Sequence, residues 1–216
     1  MPTIYDILPS LEDRILSLLH DFMAEDGGAF HTWEVAVLLP GSNGFVHFMA
    51  GVNLSLKNGN YVSSMANLRG MIEVLGAVVY DGTASLPKEG YDRFLKTGRL
   101  PKWDEEAQKW IDLGPRESVK YAQMVVDAKT NLKKIYDDCC DLLHFSSIHM
   151  SFMGGFEQQG SLVERLAKIK IGSKDQIPIK LQRDMIDLCA ELATGLGKCI
   201  TLGIEEKKKR NTPKPS

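Results

Sequence analysis

Apolar side chains recur at every third or fourth position between residues 61 and 80, which is the spacing of one helical face. The positions that carry this row are Tyr61, Met65, Leu68, Ile72, Leu75 and Val79. The other side of the helix is apolar as well, and such a helix is usually buried in the core of a bundle. Arg69 and Glu73 interrupt it one turn apart. Because unpaired buried charges are unfavourable, we expect partners for them elsewhere in the chain.

The same spacing predicts further helices before and after this segment. They cover residues 11–25, 43–57, 116–143 and 179–205. A short helix is favoured over a strand for residues 31–39, because the surrounding segments are helical. Ser10 suits the N-cap of the first helix, and the Pro-Gly pair at 40–41 predicts a break in the chain.

Two polar segments predict chain reversals. The Asn-Gly-Asn sequence at 58–60 is a tight turn, so the helices on either side of it should form an antiparallel helical hairpin. Residues 148–156 and 165–171 have the composition of short strands, and Gln158-Gln159-Gly160 lies between them. This pattern predicts a small β-hairpin before the last helix.

Residues 81–115 form a loop-rich insertion, because Pro and Gly interrupt them repeatedly. Short helices are predicted at 91–96 and 104–112. Basic residues outnumber acids over 81–103; they are Lys88, Arg93, Lys96, Arg99 and Lys102. The segment could be a flap that contacts an anion. A solvated connection held by Trp103 and Trp110 is the favoured interpretation.

Together these elements predict a mostly α, single-domain bundle over residues 1–206 with a small β-hairpin before the last helix. Residues 207–216 are basic and should form a disordered tail. A short basic terminus is more often solvated than bound to nucleic acid.

Charge and cysteine usage narrow the class of protein. The 216 residues carry a formal net charge of −2, so nothing draws the whole chain to nucleic acid or membrane. The N-terminus lacks the pattern of a signal peptide, and the charged pair in the 61–80 helix interrupts the best candidate for a membrane span. The cysteines are Cys139, Cys140, Cys189 and Cys199; without a CxxC pair, reduced thiols in a cytoplasmic protein are expected.

A cluster of ionisable residues is the main candidate for chemistry. Asp137, Asp141 and His144 follow at i, i+4 and i+7, which places them on one face of the 116–143 helix and its end. If this face meets Arg69 and Glu73, the arginine can pair with a carboxylate while the histidine donates to another acid. A purely structural network of this kind is favoured over catalysis.

Two stretches resemble prokaryotic HEPN-like helical bundles, which include uncharacterised and abortive-infection-type families. LRGMIE follows the turn KNGNY and matches the Arg-x-x-x-Glu of these bundles with Arg69 and Glu73. YDDCCDLLHFSS matches a Tyr…His-x-Ser pattern with Tyr136, His144 and Ser146. By resemblance, these five residues would belong to one site.

The resemblance covers roughly residues 43–150, but it lacks the stricter ribonuclease signature, an Arg followed four to six residues later by a His on one helix. Neither His144 nor His149 has an arginine at that spacing. The resemblance therefore implies a homodimeric bundle of defence or stress type without nuclease activity. Such a protein, for example the neutral half of a toxin–antitoxin or phage-defence pair, would bind a partner protein, a nucleotide or RNA without a cofactor.

The first alternative is a metal-independent ribonuclease. His144 would act as general acid or base on a 2′-hydroxyl, and Arg69, beside Glu73, would stabilise the charge that develops on phosphorus. Tyr136 and Ser146 would contact phosphate. A homodimer would bring two such sets into one groove.

The second alternative is a metal-binding bundle. Asp137, Asp141 and His144, with Glu73 from a facing helix, make a carboxylate-rich set of the kind that bundles use for iron or manganese. The paired Glu-x-x-His motif of such sites is missing, and only Asp141-x-x-His144 replaces it. We therefore predict no bound metal, and the binding function is favoured over a metal site.

Overall fold

The computed structural model describes residues 4–25, 33–84, 86–143 and 179–211. Helices make up 81% of the described residues, so the predicted fold class is confirmed: a mostly α single domain with a small β-hairpin before the last helix. The strands predicted at 148–156 and 165–171 lie outside the described residues, and the observed hairpin is a different segment.

The described elements follow one another in a simple order. A 3₁₀ turn at Ile4–Asp6 leads into the first α-helix, and a π-helical turn at Glu34–Leu38 leads into the second. The α-helices and strands are α1 (Ile7–Ala24), α2 (Leu39–Lys57), α3 (Tyr61–Ala84), α4 (Lys88–Thr97), β1 (Pro101–Asp104), β2 (Lys109–Asp112), α5 (Pro115–Gln123), α6 (Leu132–Leu143) and α7 (Ile179–Asn211).

Helix α3 lies at the centre of the bundle, as its apolar periodicity predicts. It packs against α2, α5, α6 and α7, while α1 packs mainly against α7 and α2. Buried side chains occupy both sides of α3; they include Leu68, Met71, Ile72, Leu75 and Val78. The helix continues past the predicted end at residue 80 to Ala84.

The turn between α2 and α3 confirms the predicted helical hairpin. Gly59 has a φ of +68°, a conformation that glycine adopts without strain. The Asn58 side chain donates to the carbonyl of Leu54 over 2.9 Å, and the Asn60 side chain accepts from the N–H of Ser63 over 3.0 Å. The two asparagines thus satisfy backbone groups at the end of one helix and the start of the next.

The predicted break at 40–41 is wrong, because helical structure continues through Pro40. The chain enters α2 through the π-helical turn, in which the Leu39 N–H donates to the carbonyl of Glu34, five residues back. Pro40 then lies in the first turn of α2, where its missing N–H is tolerated. The short separate helix was predicted over 31–39; the part of it that the structure describes, residues 33–39, is continuous with α2.

The long helix predicted over 116–143 is two helices, α5 and α6, joined by residues 124–131. Glu191 of α7 holds this connection: its carboxylate accepts from the backbone N–H of Asp127 and, over 2.8 Å, from the hydroxyl of Thr130. The side chain of Asn131 accepts from the N–H of Lys134 over 3.0 Å and caps α6. A distant carboxylate and a local cap therefore replace the helical hydrogen bonds.

Within the 81–115 insertion, the helix predicted at 91–96 is confirmed as α4, but the one predicted at 104–112 is wrong. Strands β1 and β2 form an antiparallel hairpin there, in which Trp103 pairs with Trp110. The two indole rings meet edge to face with centroids 5.3 Å apart, a contact available only across a strand pair of this register. The Asp104 carboxylate accepts from two N–H groups of the turn and stabilises it.

The basic side chains of this insertion are mostly paired with acids that follow them in sequence. Arg93 and Arg99 both bind Asp112, over 3.1 and 3.0 Å, and Lys102 binds Glu117 of α5. A buried hydrogen bond of 3.0 Å from the Tyr80 hydroxyl to the carbonyl of Pro101 attaches the hairpin to α3. The hairpin is thus a packed part of the bundle.

Helix α7 continues past the predicted end at 205, so residues 207–211 are helical instead of belonging to a disordered tail. Lys207 is 3% exposed, and its ammonium donates to the carbonyl of Phe22 over 2.8 Å and lies 4.5 Å from that ring's centroid. This amine satisfies a carbonyl in the last turn of α1, where no intrahelical donor is available.

Two helical stretches, Glu34–Lys57 and Tyr61–Ala84, are long and apolar enough to cross a bilayer by length and composition alone. Core helices of soluble proteins have the same property, and the second stretch is the central helix of this bundle. The feature is therefore weak evidence for a membrane.

Replacing Gly76 with alanine should strongly destabilise the fold. A β-carbon at Gly76 would overlap the backbone carbonyl of Ser118, where α5 crosses α3. Because a backbone cannot yield as a side chain can, we expect a loss of about 3 kcal/mol or more in the free energy of unfolding, measured by urea denaturation. Gly82→Ala is the matched control in the same helix, with open space around it, and should be neutral or stabilising by up to about 1 kcal/mol. Equal stability of the two variants would contradict the packing of α3 on α5.

Candidate functional site

The structure brings three of the predicted site residues together. Arg69 Nε donates to Glu73 Oε1 over 2.8 Å, and the hydroxyl of Tyr136 on α6 donates to the same oxygen over 2.6 Å. The guanidinium carbon of Arg69 lies 5.4 Å from the centroid of the Tyr136 ring, within the range of a cation–π contact. The charged pair on α3 therefore has a hydrogen-bond partner, Tyr136, on a facing helix, as expected for partly buried charges.

This network is neither sealed in the core nor fully open. Arg69 and Glu73 retain 27% and 33% of their side-chain exposure, whereas Tyr136 is 2% exposed. Burial, and the hydrogen bond that its hydroxyl donates to the carboxylate, hold the pKa of Tyr136 above its ordinary value. Tyr136 is consequently a neutral donor at physiological pH, and the contacts satisfy the carboxylate in the way expected of a structural network.

The remaining predicted site residues do not join this network within the described structure. Asp141 is exposed on α6, and Asp137 forms an ion pair of 3.7 Å with Arg116 of α5. His144 and Ser146 lie outside the described residues. Among the residues that are described, no three His, Cys, Asp or Glu side chains form a group that could hold a metal ion.

A different feature has the form of a binding site. A cavity of about 700 Å³ lies between the last turns of α3, the first turns of α4 and the end of α7. Its volume falls within the range usual for sites of small organic ligands. Much of its described wall is apolar; the apolar side chains are Trp33, Val78, Val79, Leu86, Val125 and Leu202.

Asp81 is the buried polar group of this cavity. It lies in the last turns of α3 and is 1% exposed. The hydroxyl of Tyr91 on α4 donates to Asp81 Oδ1 over 3.0 Å, but Oδ2 has no hydrogen-bond partner among the described residues. Burial raises the pKa of Asp81 to about 6, and the hydrogen bond from Tyr91 opposes the rise. The carboxylate is thus largely ionised at neutral pH, with one oxygen left to accept a hydrogen bond.

Basic side chains surround the exposed edge of the cavity. Lys88 begins α4, and Lys209 and Arg210 lie near the end of α7. Arg210 is already bound to Glu34, which is completely buried beneath it. Burial raises the pKa of Glu34, and the nearby Lys207 ammonium opposes this. The cavity therefore combines a buried acid, apolar walls and a cationic edge.

Sequence reasoning missed this site. The predicted helix stopped at residue 80, which placed Asp81 in the loop-rich insertion instead of on the core helix. One feature of the sequence indicated that Asp81 lies on the core helix. It continues the helical spacing of the apolar row Met71, Val74 and Val78, three residues after Val78. An acid that continues a buried apolar row indicates either a partner or a ligand.

No protein-family model matches the chain, and no curated protein or solved structure is similar to it at a significant level. The resemblance to HEPN-like bundles accordingly stays a prediction from sequence.

Asp81→Asn should stabilise the unliganded protein in a pH-dependent way. Because burial holds the folded-state pKa above the ordinary 3.8, the contribution of Asp81 is fully favourable below about pH 4 and is lost as the pH rises through about 6. The variant should exceed the wild type by up to about 3 kcal/mol at pH 8, and the difference should vanish near pH 4, measured by urea unfolding at each pH. Asp92→Asn, on the exposed side of α4, removes the same charge outside the core and is the matched control. An Asp81→Asn protein less stable than wild type at pH 8 would show that the carboxylate is satisfied.

Tyr136→Phe tests the Arg69–Glu73 network. Removing the hydroxyl deletes a hydrogen bond to a carboxylate and should lower the free energy of unfolding by about 1–2 kcal/mol. Tyr121→Phe is the control: no hydrogen bond from its hydroxyl is formed within the described residues, so its stability should change little. Equal effects of the two substitutions would mean that the bond to Glu73 contributes nothing measurable.

Proposed function

We propose that this chain is a non-catalytic ligand-binding bundle, and that the cavity beside Asp81 is its binding site. One observation carries the proposal: a carboxylate that is 1% exposed lies in the wall of the cavity with one oxygen unpartnered among the described residues. A ligand that donates a hydrogen bond to this oxygen supplies the missing partner.

The energetics of Asp81 support a role in binding over a role in the fold. A buried, half-satisfied carboxylate destabilises the folded state, whereas an asparagine or leucine of similar size would avoid most of that penalty. The fold itself therefore gains nothing from an acid at this position. Binding sites commonly retain groups of this kind, because the interaction with ligand compensates for the loss of stability.

The composition of the cavity supports binding over catalysis. The described wall contains no histidine, and its one thiol, Cys199, has a pKa raised by burial to about 11, so it is protonated at neutral pH. Tyr91, the hydrogen-bond donor to Asp81, likewise has its pKa raised by burial and by the adjacent carboxylate. What remains is Asp81, a hydrogen-bond acceptor among apolar side chains, and such a group suits the orientation of a ligand.

The wider assignment stays a prediction from sequence. It comprises the HEPN-like family, a defence or stress role, a homodimer, a protein or RNA partner, and cytoplasmic localisation. A ribonuclease alternative needs His144, which lies outside the described residues. Binding in the Asp81 cavity is compatible with the predicted nucleotide-binding role.

A thermal-shift screen of metabolites tests the proposed function. We expect at least one compound to raise the Tm of the wild type and of Asp92→Asn, and isothermal titration to show binding at least tenfold weaker for Asp81→Asn. The factor follows from a charge-assisted hydrogen bond of about 1.5–3 kcal/mol. Ligands that bind Asp81→Asn as tightly as wild type would count against this cavity as the site.

A further inference from the structure

We infer that the ligand of this cavity is a phosphomonoester of a flat heterocycle with an N–H donor edge, the chemistry of a purine nucleoside monophosphate of the guanine type. The inference rests on the proposed function and specifies its ligand. It follows from a polarity gradient in the cavity, which runs from a buried acid through apolar walls to exposed cations.

The buried end selects hydrogen-bond donors. Asp81 accepts from Tyr91 through Oδ1 and has Oδ2 unpartnered within the described chain. An ionised carboxylate only accepts hydrogen bonds, so the group that meets it must present N–H or O–H donors and no acceptor of its own. The guanine edge places an N–H and an NH₂ side by side and can meet both oxygens of a carboxylate. The adenine edge presents one donor beside a ring nitrogen that would face the carboxylate unfavourably.

The walls favour a flat apolar body. Trp33 is half-buried in the lining, and the branched side chains of Val78, Val79 and Leu86 are buried residues of the same lining. An aromatic face beside aliphatic side chains suits the stacking of a heterocycle, which contributes about 1–3 kcal/mol per base in nucleic-acid-binding proteins. A sugar or a linear polar metabolite would leave this apolar surface without a complementary partner.

The exposed end selects an anion. Lys88 and Lys209 line the cavity, and neither has an ion-pair partner in the part of the chain that the structure describes. Lys88 is the first residue of α4, and the N-cap Pro87 has no side-chain acceptor, while Glu89 in the same turn offsets part of the positive field at this helix start. Glu206 is the exposed acid on this lining, which leaves the cations in excess at the edge.

The geometry of α4 links the two ends. Lys88 and Tyr91 are three residues apart, one helical turn and about 4.5 Å along the axis. Tyr91 is 6% exposed and bonded to Asp81, whereas Lys88 is exposed. A ligand whose heterocycle meets Asp81 and whose other end extends toward the start of α4 would bring a 5′-phosphate toward Lys88.

Titrations of the full chain with GMP, guanosine, AMP and inorganic phosphate test this inference. Binding is followed by isothermal titration and by the tryptophan fluorescence that Trp33 contributes. We expect GMP to bind at least tenfold more tightly than guanosine or AMP, and inorganic phosphate not to compete at equal concentration. Asp81→Asn should weaken GMP and guanosine alike by at least tenfold.

Charge variants separate the two ends of the ligand. The double variant Lys88→Gln/Lys209→Gln should weaken GMP at least tenfold and leave guanosine unchanged. Lys120→Gln/Lys133→Gln, two exposed lysines of α5 and α6 away from the cavity, is the matched control and should bind as wild type does. Circular dichroism and Tm establish that each variant is folded.

The outcomes distinguish this inference from the proposed function. If GMP fails to bind, or binds the Lys88/Lys209 variant as tightly as wild type, the inference is wrong. If another compound from the metabolite screen binds in an Asp81-dependent way, the proposed function stands without the phosphomonoester. If no compound binds at all, both are wrong. If inorganic phosphate competes for the cavity as well as GMP does, the binding is that of a surface anion site, and the assignment of a heterocycle is wrong.

Discussion

Helix α3 is covered by helices on several sides, and its polar side chains therefore need partners that only other elements or its own backbone can supply. Arg69 and Glu73 pair with each other and with Tyr136 of α6, while Tyr80 donates to the backbone of β1. Asp81, one residue further, receives a hydrogen bond on only one of its oxygens among the described residues. Among these polar side chains of α3, Asp81 is therefore the one whose need for hydrogen-bond partners is only partly met.

The position of the cavity follows from the same enclosure. The last turns of α3, the start of α4 and the end of α7 meet around it, so its walls continue the apolar core. A carboxylate in such walls is exposed to little water, and its interaction with a ligand donor is stronger than at the surface. In the proposed function, the burial that makes Asp81 unfavourable for the fold is also what would strengthen its interaction with a ligand.

The end of α7 attaches this cavity to α1 and to the turn before α2. Lys207 binds the last turn of α1 through the carbonyl of Phe22, and Arg210 binds Glu34 in the turn before α2. Lys209 lies between them in sequence and lines the cavity. These two contacts, in which Lys207 and Glu34 are buried, hold the helix that carries a cation of the candidate site.

The sequence by itself determined the helical bundle, the central position of α3 and the pairing of Arg69 with a carboxylate, because helical period and i, i+4 spacing are local properties. Tertiary structure decided what depends on distant partners. Glu191 holds the connection that divides the predicted 116–143 helix, and a carbonyl of α1 makes the end of α7 ordered. Asp81 became part of a site only when three segments far apart in the chain met around it, since the burial of a charge and its missing partner are properties of the assembled core.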